Sequence, residues 1–454
     1  MAADPFPAAV PPPGPPSGPP PGPPSGPLTE KKPAQLYTWL QAPVVAVALV
    51  AIASGFGQFG AVAALGDVAA AFGEARAAAG SAASVAEQAG LSGTVLGVGL
   101  AFIRLASLGA LPLASMADRR GRTRVLLGCA GLGLALVALG ALSPGYWWFV
   151  AAFGLSRPFL SATNALAQVV AGEHTDSTQR AKAVALVAAG YGLGAALVAS
   201  VRGAAAGVLG FRGTFALAVV PLLLLPVLRR WMAEPDRYQV ASHTRSNGPI
   251  KAVFAVLGPE GRRRLWAIIA VAFAAAFVTG PANSFVFVYA EGVLDVAPST
   301  TAALFLAAVP TGLAGLAIGR WGADRWGRRP TAALALIGIG LAAIVTYSGG
   351  LAPTIAGSLL AVLAGYAFLP TLASLGNELF PTEVRASVAG WLVGVGVVGA
   401  VAGLVVFGAM ADRLDGFAAA AVVVALPAVA ASLCFARLPE TRGMELEESS
   451  ALGL

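Results

Sequence analysis

Two arginines stand inside long apolar stretches of the sequence. Arg104 lies within residues 91–114 and Arg157 within residues 146–172, while the acidic residues fall in tails, loops or helix ends. Counted along a helix at ~1.5 Å per residue, both stand ~20 Å or more from the charged residues that end their stretches, so we expect them to share a layer. A guanidinium does not shed its proton. Two of them without a carboxylate beside them predict an anion site, and a carboxylate ligand is our hypothesis.

The composition places these stretches in a membrane. Hydrophobic residues make up 57% of the 454 residues and charged residues only 11%, which is too apolar for a soluble domain of this length. Twelve apolar stretches approach the ~20 residues that a helix needs to cross a bilayer. We therefore predict an all-α membrane protein with 12 transmembrane helices, at 42–65, 91–114, 125–143, 146–172, 182–201, 213–228, 265–290, 299–319, 331–348, 352–376, 387–410 and 416–436.

The basic residues concentrate on one side of these helices. If both termini lie in the cytoplasm, 23 of the 29 Lys and Arg residues are cytoplasmic, four lie outside, and Arg104 and Arg157 lie within spans. Basic residues accumulate on the cytoplasmic face of membrane proteins. The net charge of +7 therefore reflects topology and not a nucleic-acid partner. We expect a multi-pass protein of the inner (cytoplasmic) membrane with both termini in the cytoplasm.

Charged positions in the first half of the chain recur in the second. Four pairs are separated by 205 or 206 residues, namely Asp118 and Asp324, Glu173 and Glu378, Arg180 and Arg385, and Glu234 and Glu440. This repetition predicts a duplicated six-helix unit, a common construction in secondary transporters. The expected organisation is a disordered Pro/Gly/Ala-rich cytoplasmic tail at 1–35, six-helix bundles at 42–228 and 265–436, a central cytoplasmic linker at 229–264 and a C-terminal tail at 437–454.

One loop motif occurs in both halves. Residues 117–122 read Ala-Asp-Arg-Arg-Gly-Arg after the second span, and residues 323–329 read Ala-Asp-Arg-Trp-Gly-Arg-Arg after the eighth. An Asp at a helix end can bind a neighbouring helix N-terminus or an Arg, and Gly permits a tight turn. The alternative is a basic loop that only sets topology. Both copies resemble the loop signature of the major facilitator superfamily of secondary transporters, although its opening Gly is Ala114 in one copy and Arg320 in the other.

Two further segments narrow this resemblance. Residues 378–385 and 439–443 resemble segments of the sugar and metabolite porters of the superfamily. The glutamine pair of sugar porters is missing from the seventh helix, and the Gly-Pro signature of drug-exporting antiporters is missing from the fifth. The resemblance implies a cytoplasmic gate formed by the two loops and nearby charges: Asp118, Arg119, Gly121, Arg122, Asp324, Arg325, Gly327, Arg328, Glu378 and Arg385.

The resemblance also implies a central cavity lined by the first, fourth, seventh and tenth helices. Together with Arg104 from the charge argument, the polar residues expected to contact a substrate are Gln58, Arg157, Asn164, Asn283, Tyr289, Tyr366 and Asn377. Each has a structural alternative. Arg104 could bond backbone carbonyls or extend towards the outer water, Arg157 could be structural or aid proton coupling, and the others could bond between helices.

Proton coupling lacks its usual carrier in this sequence. Related metabolite symporters often place an aspartate in the first helix, where this chain has Gln58. The remaining candidates are Asp67 near the outer end of that helix and Glu173 near the inner end of the fourth. Proton symport is predicted, with uniport as the open alternative.

No constellation typical of an enzyme is found. Residues 394–400 match a dinucleotide-binding fingerprint, but they lie inside an apolar span with no preceding strand, where glycines favour helix packing. His174 and His243 have no neighbours at metal-ligand spacing. We expect no catalytic residues, no metal and no cofactor.

The predicted function is secondary active transport of a small organic solute by alternating access, in which two helix bundles rock about a central site. A carboxylate or another anionic metabolite is the expected substrate, and the chain is expected to act as a monomer in the lipid bilayer. The alternatives are a drug or metabolite efflux transporter and a transporter-like receptor that binds a solute without moving it.

Overall fold

The computed structural model describes residues 38–73, 88–176, 179–232 and 256–442. These ranges are helical, and no strand occurs within them. Runs of Ala, Leu, Val and Gly form helices here because a helix pairs its own backbone N–H and C=O groups, as a bilayer requires. The twelve long helices are α1 Ala42–Ala63, α2 Gly93–Ala117, α3 Arg122–Leu142, α4 Tyr146–Glu173, α5 Arg180–Ala205, α6 Val208–Arg229, α7 Pro259–Val293, α8 Pro298–Arg325, α9 Arg328–Thr346, α10 Leu351–Glu378, α11 Thr382–Arg413 and α12 Phe417–Arg437.

Eleven of these helices have the length and mean hydropathy of a membrane span. The exception is α4, which is long enough at 28 residues but carries Arg157, Asn164 and Gln168. Large apolar side chains on the outer surface, such as Leu142, Leu223 and Leu433, are 70% to 73% exposed in the isolated chain. Such a surface matches a lipid environment, and the predicted all-α membrane fold with twelve helices is confirmed.

The start of the seventh helix differs from the sequence-based expectation. α7 begins at Pro259, inside the segment 229–264 that the sequence assigned to a linker. Its first turn is polar, and Glu260 pairs there with Arg263 at 3.2 Å. The predicted tail at 1–35, most of the predicted linker (residues 233–255) and residues 443–454 lie outside the described ranges.

Within each half, the first and fifth helices touch backbone to backbone. A Cβ added to Gly194 on α5 would lie 2.0 Å from the carbonyl oxygen of Ile52 on α1. In the second half, a Cβ on Gly403 of α11 would lie 1.9 Å from the carbonyl oxygen of Phe277 on α7. Small residues allow such close approach in membranes. The two halves, α1–α6 and α7–α12, therefore repeat one helix arrangement.

The halves meet at the ends of α2, α5, α8 and α11. We call the side that holds the start of α1 and the end of α12 the terminal face, and the opposite side the far face. On the far face, a Cβ on Gly97 of α2 would lie 2.4 Å from the carbonyl oxygen of Leu404 on α11. A Cβ on Gly203 of α5 would lie 2.9 Å from the carbonyl oxygen of Pro298 on α8. These contacts close the far face over the space between the halves.

Candidate functional site

A cavity of about 410 Å³ lies between the two halves. Its walls are mainly apolar and include aromatic rings from both halves, among them Phe59 on α1 and Phe305 on α8, whose ring centroids are 6.4 Å apart. The polar residues that line it are Gln58, Arg104, Arg157 and Tyr191 from the first half, and Thr279, Asn283, Ser284, Thr346, Ser358 and Tyr366 from the second. The cavity suits a small, largely apolar molecule with a few polar groups.

The two intramembrane arginines line this cavity together. The Nε atoms of Arg104 and Arg157 are buried, and neither has a hydrogen-bond partner among the described residues. Their charges lie close enough to interact. Arg157 donates one long hydrogen bond, from Nη1 to the Gln58 carbonyl at 3.4 Å. Since no acidic residue belongs to the described cavity lining, these guanidinium groups give the cavity a positive charge with free donors.

The amide of Gln58 connects three helices of the first half. Its Nε2 donates to Ser54 Oγ at 3.0 Å and to the Leu160 carbonyl of α4 at 3.1 Å, and its Oε1 accepts from the Tyr191 hydroxyl of α5 at 3.2 Å. A side chain bonded at both its donor and its acceptor is fixed in one orientation. The Gln58 side chain therefore fixes the Tyr191 hydroxyl at the cavity wall, and its main-chain carbonyl accepts from Arg157.

Prolines interrupt two helices beside cavity residues. Pro158 follows Arg157 in α4, and Pro281 lies two residues before Asn283 in α7. A proline inside a helix removes one backbone hydrogen bond and bends the helix locally. These two prolines thus lie beside polar residues of the cavity wall.

An ion cluster joins the halves at the far face. Arg202 at the end of α5 donates to both carboxylate oxygens of Asp67, at 2.6 and 2.7 Å, and to both of Glu291, at 2.7 and 2.5 Å. Thr301 at the start of α8 donates to Glu291 at 2.6 Å. Arg202 is 2% exposed and Glu291 7% exposed. Asp67 and Arg202 belong to the first half and Glu291 to the second, so the cluster ties the two together.

A second polar contact joins the halves nearby. Asp412, at the end of α11, accepts the backbone N–H of Gly93 at 2.6 Å and that of Thr94 at 2.8 Å, and also the Thr94 hydroxyl at 2.5 Å. A carboxylate at a helix N-terminus satisfies amides that have no partner within the helix and interacts favourably with its dipole. The first turn of α2 is therefore held by the other half of the molecule.

The two loop motifs form matching turns on the terminal face. Gly121 and Gly327 have φ values of 99° and 110°, which a side chain would disfavour. Beside them, Arg122 pairs with Glu173, and Arg328 pairs with Glu378 at 3.2 Å. The positions that recur along the sequence thus form the same ion pair in each half.

The remaining gate candidates differ in exposure. Arg385 donates to the Phe380 carbonyl at 3.3 Å. Arg119, Asp324 and Arg325 are exposed on the terminal face. Asp118 lies in the last turns of the helix that precedes Gly121, and its side chain is not among those described.

A family model described as Major Facilitator Superfamily matches residues 47–391. The chain belongs to this superfamily. It is accordingly a multi-pass membrane transporter of small organic solutes, and the predicted superfamily is confirmed.

Two proteins named as transporters are similar to this chain in sequence. The chain is 28% identical over 375 residues to the probable 4-methylmuconolactone transporter of Cupriavidus pinatubonensis (strain JMP 134 / LMG 1197), covering 79% of this chain and 85% of that protein. It is 32% identical over 162 residues to the 3-(3-hydroxy-phenyl)propionate transporter of Escherichia coli (strain K12), covering 35% of this chain and 39% of that protein.

Solved structures share the fold at low sequence identity. The inward open xylose transporter XylE from E. coli matches with a TM-score of 0.66 and 18% identity, covering 90% of this chain and 100% of that one. A bacterial homologue of the human lysosomal transporter Spinster, inward-facing and occupied, matches with a TM-score of 0.67 and 16% identity, covering 86% and 95%. Both are similar to this chain in helix arrangement.

The superfamily fold brings five predicted substrate contacts to one cavity, namely Gln58, Arg104, Arg157, Asn283 and Tyr366. Three others are not among its lining residues. Tyr289 is 5% exposed and packs at the far face against Tyr347 and Phe417, with ring centroids 5.0 and 5.6 Å away. Asn164 is partly buried in α4, and Asn377 is exposed near the terminal-face end of α10. Knowing which helices line a cavity does not fix which face and depth of each helix contribute.

Sequence reasoning missed several residues of this transporter's site and gates. Tyr191 and Ser358 line the cavity but gave no signal, since isolated Tyr and Ser residues are common in membrane helices. Arg202 is one of the four basic residues that the sequence placed on the outer side of the membrane, and Glu291 was not singled out. Glu291 did leave a signal, because it follows the apolar run 285–290 without a break. The proton-coupling candidates Asp67 and Glu173 are both ion-paired here.

Proposed function

We propose that this protein carries a small carboxylate with an apolar or aromatic body across the cytoplasmic membrane, coupled to protons and by alternating access. The observation that carries the proposal is that Arg104 and Arg157 line one cavity and that each has a buried Nε donor without a partner among the described residues. A carboxylate has two oxygens that accept such charge-assisted hydrogen bonds. Binding it would supply the partners that these donors lack.

The cavity walls support an apolar body for the substrate. Phe59, Tyr191, Phe305 and Tyr366 contribute rings, and the remaining lining is largely Ala, Leu and Val. A ring of the substrate can stack against such side chains while its carboxylate meets the arginines. The relatives named for 4-methylmuconolactone and 3-(3-hydroxy-phenyl)propionate transport support the same substrate class.

The distribution of basic residues supports a cytoplasmic terminal face. With 23 of 29 Lys and Arg residues on that side, both termini are cytoplasmic in this proposal. The far face, closed by the Arg202 cluster and Asp412, is then the outer face. The cavity belongs to a conformation that is closed to the outside.

Proton coupling would use the carboxylate whose ion pair joins the halves. Glu291 of the second half is bound to Arg202 of the first, so this pair must break when the far face opens. Asp67 and Glu173 are bound to arginines of their own half, Arg202 and Arg122, and movement of one half against the other leaves those pairs together. Glu291 is therefore the carboxylate that the proposed cycle releases from its partner.

The test is uptake into sealed proteoliposomes with an acidic exterior. We expect 3-phenylpropionate to accumulate and its neutral amide analogue not to accumulate. Arg157→Gln and Arg104→Gln should each lower the kcat/KM of carboxylate uptake by about tenfold or more, because each removes a charged hydrogen-bond donor. Arg230→Gln is the matched control, since Arg230 is exposed at the end of α6 and remote from the cavity.

Two results would contradict the proposal. Equal transport of the carboxylate and its amide, or unchanged kinetics in both arginine variants, would exclude recognition of the carboxylate by Arg104 and Arg157. Uptake that does not respond to the imposed pH gradient would exclude proton coupling and favour uniport.

A further inference from the structure

A buried serine hydroxyl in the cavity wall has no hydrogen-bond partner in the part of the chain that the structure describes. Ser358 lines the cavity from α10, and its Oγ is buried without a partner among the described residues. The other aliphatic hydroxyls of the lining donate back to the carbonyl four residues earlier in their own helices: Thr279 at 2.9 Å, Ser284 at 2.7 Å and Thr346 at 2.8 Å. Ser358 therefore differs from its neighbours in a way that residue type alone does not explain.

A serine inside a helix normally bonds the carbonyl one turn earlier, which here belongs to Thr354. Ser358 does not make this bond, whereas Thr354 itself donates to the Gly350 carbonyl at 2.9 Å and also to the Thr346 carbonyl at 3.0 Å. Ser358 keeps one donor and two acceptor sites unused. A buried hydroxyl without partners costs free energy, so rotation of the Ser358 side chain towards an occupant of the cavity that bonds it is favoured.

Ser358 and the arginines lie on opposite walls and at different depths. Arg104 and Arg157 belong to the first half, and Ser358 belongs to the second. Both arginines are eleven residues from the far-face ends of their helices, and Ser358 is seven from the start of α10. At ~1.5 Å per residue, Ser358 lies ~6 Å closer to the far face. A ligand whose carboxylate meets the arginines thus extends its other end towards Ser358.

We propose that Ser358 is a specificity-determining ligand for a second polar group, a hydroxyl or a carbonyl oxygen, at the end of the substrate opposite its carboxylate. This inference rests on the proposed carboxylate transport. The preferred substrate is then bifunctional, with its two polar ends bound by different halves of the protein. A site that hydrogen-bonds a substrate hydroxyl discriminates against the analogue that lacks it.

The test compares two probes that differ by one hydroxyl, 3-(3-hydroxyphenyl)propionate and 3-phenylpropionate. In proteoliposomes of the wild-type protein, we expect kcat/KM for the hydroxylated probe to be about fivefold higher, as one neutral hydrogen bond provides. Ser358→Ala should bring this ratio close to one. Ser200→Ala is the matched control, because the Ser200 hydroxyl already donates to the Ala196 carbonyl at 2.8 Å and lies outside the cavity lining.

The outcomes separate this inference from the function on which it rests. If both probes enter and the wild-type ratio is one, or if the ratio survives Ser358→Ala, the role of Ser358 is excluded while carboxylate transport stands. If neither probe enters, the proposed function fails and the role of Ser358 fails with it. If the ratio of the two kcat/KM values also falls to one in Ser200→Ala, the effect of Ser358→Ala reflects a general perturbation of the protein. That result would also exclude the specific role of Ser358.

Discussion

At the scale of single residues, Gln58 explains how the cavity keeps its positive charge. Its amide bonds Ser54, Leu160 and Tyr191 and receives Arg157 at its main-chain carbonyl. An amide can orient these groups without carrying charge. A carboxylate at the same position would pair with Arg157 and compete with an anionic ligand. The absence of an acidic residue in this part of α1 is therefore consistent with anion binding.

The variant Gln58→Glu tests this explanation. The new carboxylate would lie beside Arg157, so we expect the KM for 3-phenylpropionate to rise by about tenfold or more, with a smaller change for a neutral analogue if one is carried. Uptake assays over a range of substrate concentrations give the KM. Gln41→Glu adds the same charge at the start of the same helix and serves as the control. An equal KM in Gln58→Glu and the wild type would refute the explanation.

At the scale of helices, glycine contacts fix how α1 and α5 pack. We expect Gly194→Ala to lower the Tm of the purified protein in detergent by several degrees, because its Cβ would lie 2.0 Å from the Ile52 carbonyl oxygen. Gly128→Ala on α3 is the matched control, since no atom lies within 4 Å of the Cβ it would add. Its Tm should stay the same or rise slightly. Equal Tm values for the two variants would argue against backbone contact between α1 and α5.

The number and order of the helices could be predicted from the sequence. Which side of each helix faces the cavity could not. Hydropathy determines the spans because a bilayer admits few other structures. The charged repeat predicted a duplicated unit but not its contacts, in which Glu173 and Glu378 each bind an arginine of the loop motif in their own half. Asn283 and Tyr289 show the limit. Six residues on a helix turn the side chain by ~120°, so only Asn283 faces the cavity.

The depth of each polar residue relative to the cavity could not be predicted from the sequence either. Asn164 shares a helix face with Arg157, and Asn377 shares one with Tyr366, but each lies ~10 to 16 Å further towards the terminal face. The cavity ends before it reaches them. The unpaired hydroxyl of Ser358 was also invisible in the sequence, because it depends on what surrounds one atom.

At the scale of the whole molecule, the described contacts correspond to a transporter closed at its far face. The Arg202 cluster and Asp412 connect the halves there, while Asp324 of the second loop motif is exposed at the terminal face. Opening the far face must separate Glu291 from Arg202. Because Arg202 carries one positive charge against two carboxylates, its loss would leave Asp67 and Glu291 to repel each other.

We therefore expect Arg202→Gln to shift the population towards conformations open at the far face. Spin labels at residues 212 and 414 on the far face should move apart in distance measurements, and labels at 120 and 325 on the terminal face should move together, after Cys129 and Cys434 have been replaced. Arg413→Gln, which removes an exposed charge from the far-face end of α11, is the control. If the distance distributions are identical to those of the protein that retains Arg202, Arg202 does not hold the far face closed.

The polar character of α4 has a consequence for biosynthesis. An arginine at the centre of a helix disfavours its release from the translocon into lipid by about 2.5 to 3.5 kcal/mol. α3, which precedes α4 after a short turn, has a mean hydropathy of 2.4 and packs along it. The nascent chain can therefore insert α3 and α4 together as a helical hairpin. The residue that equips the mature protein to bind an anion thus makes its own helix depend on a neighbour for entry into the membrane.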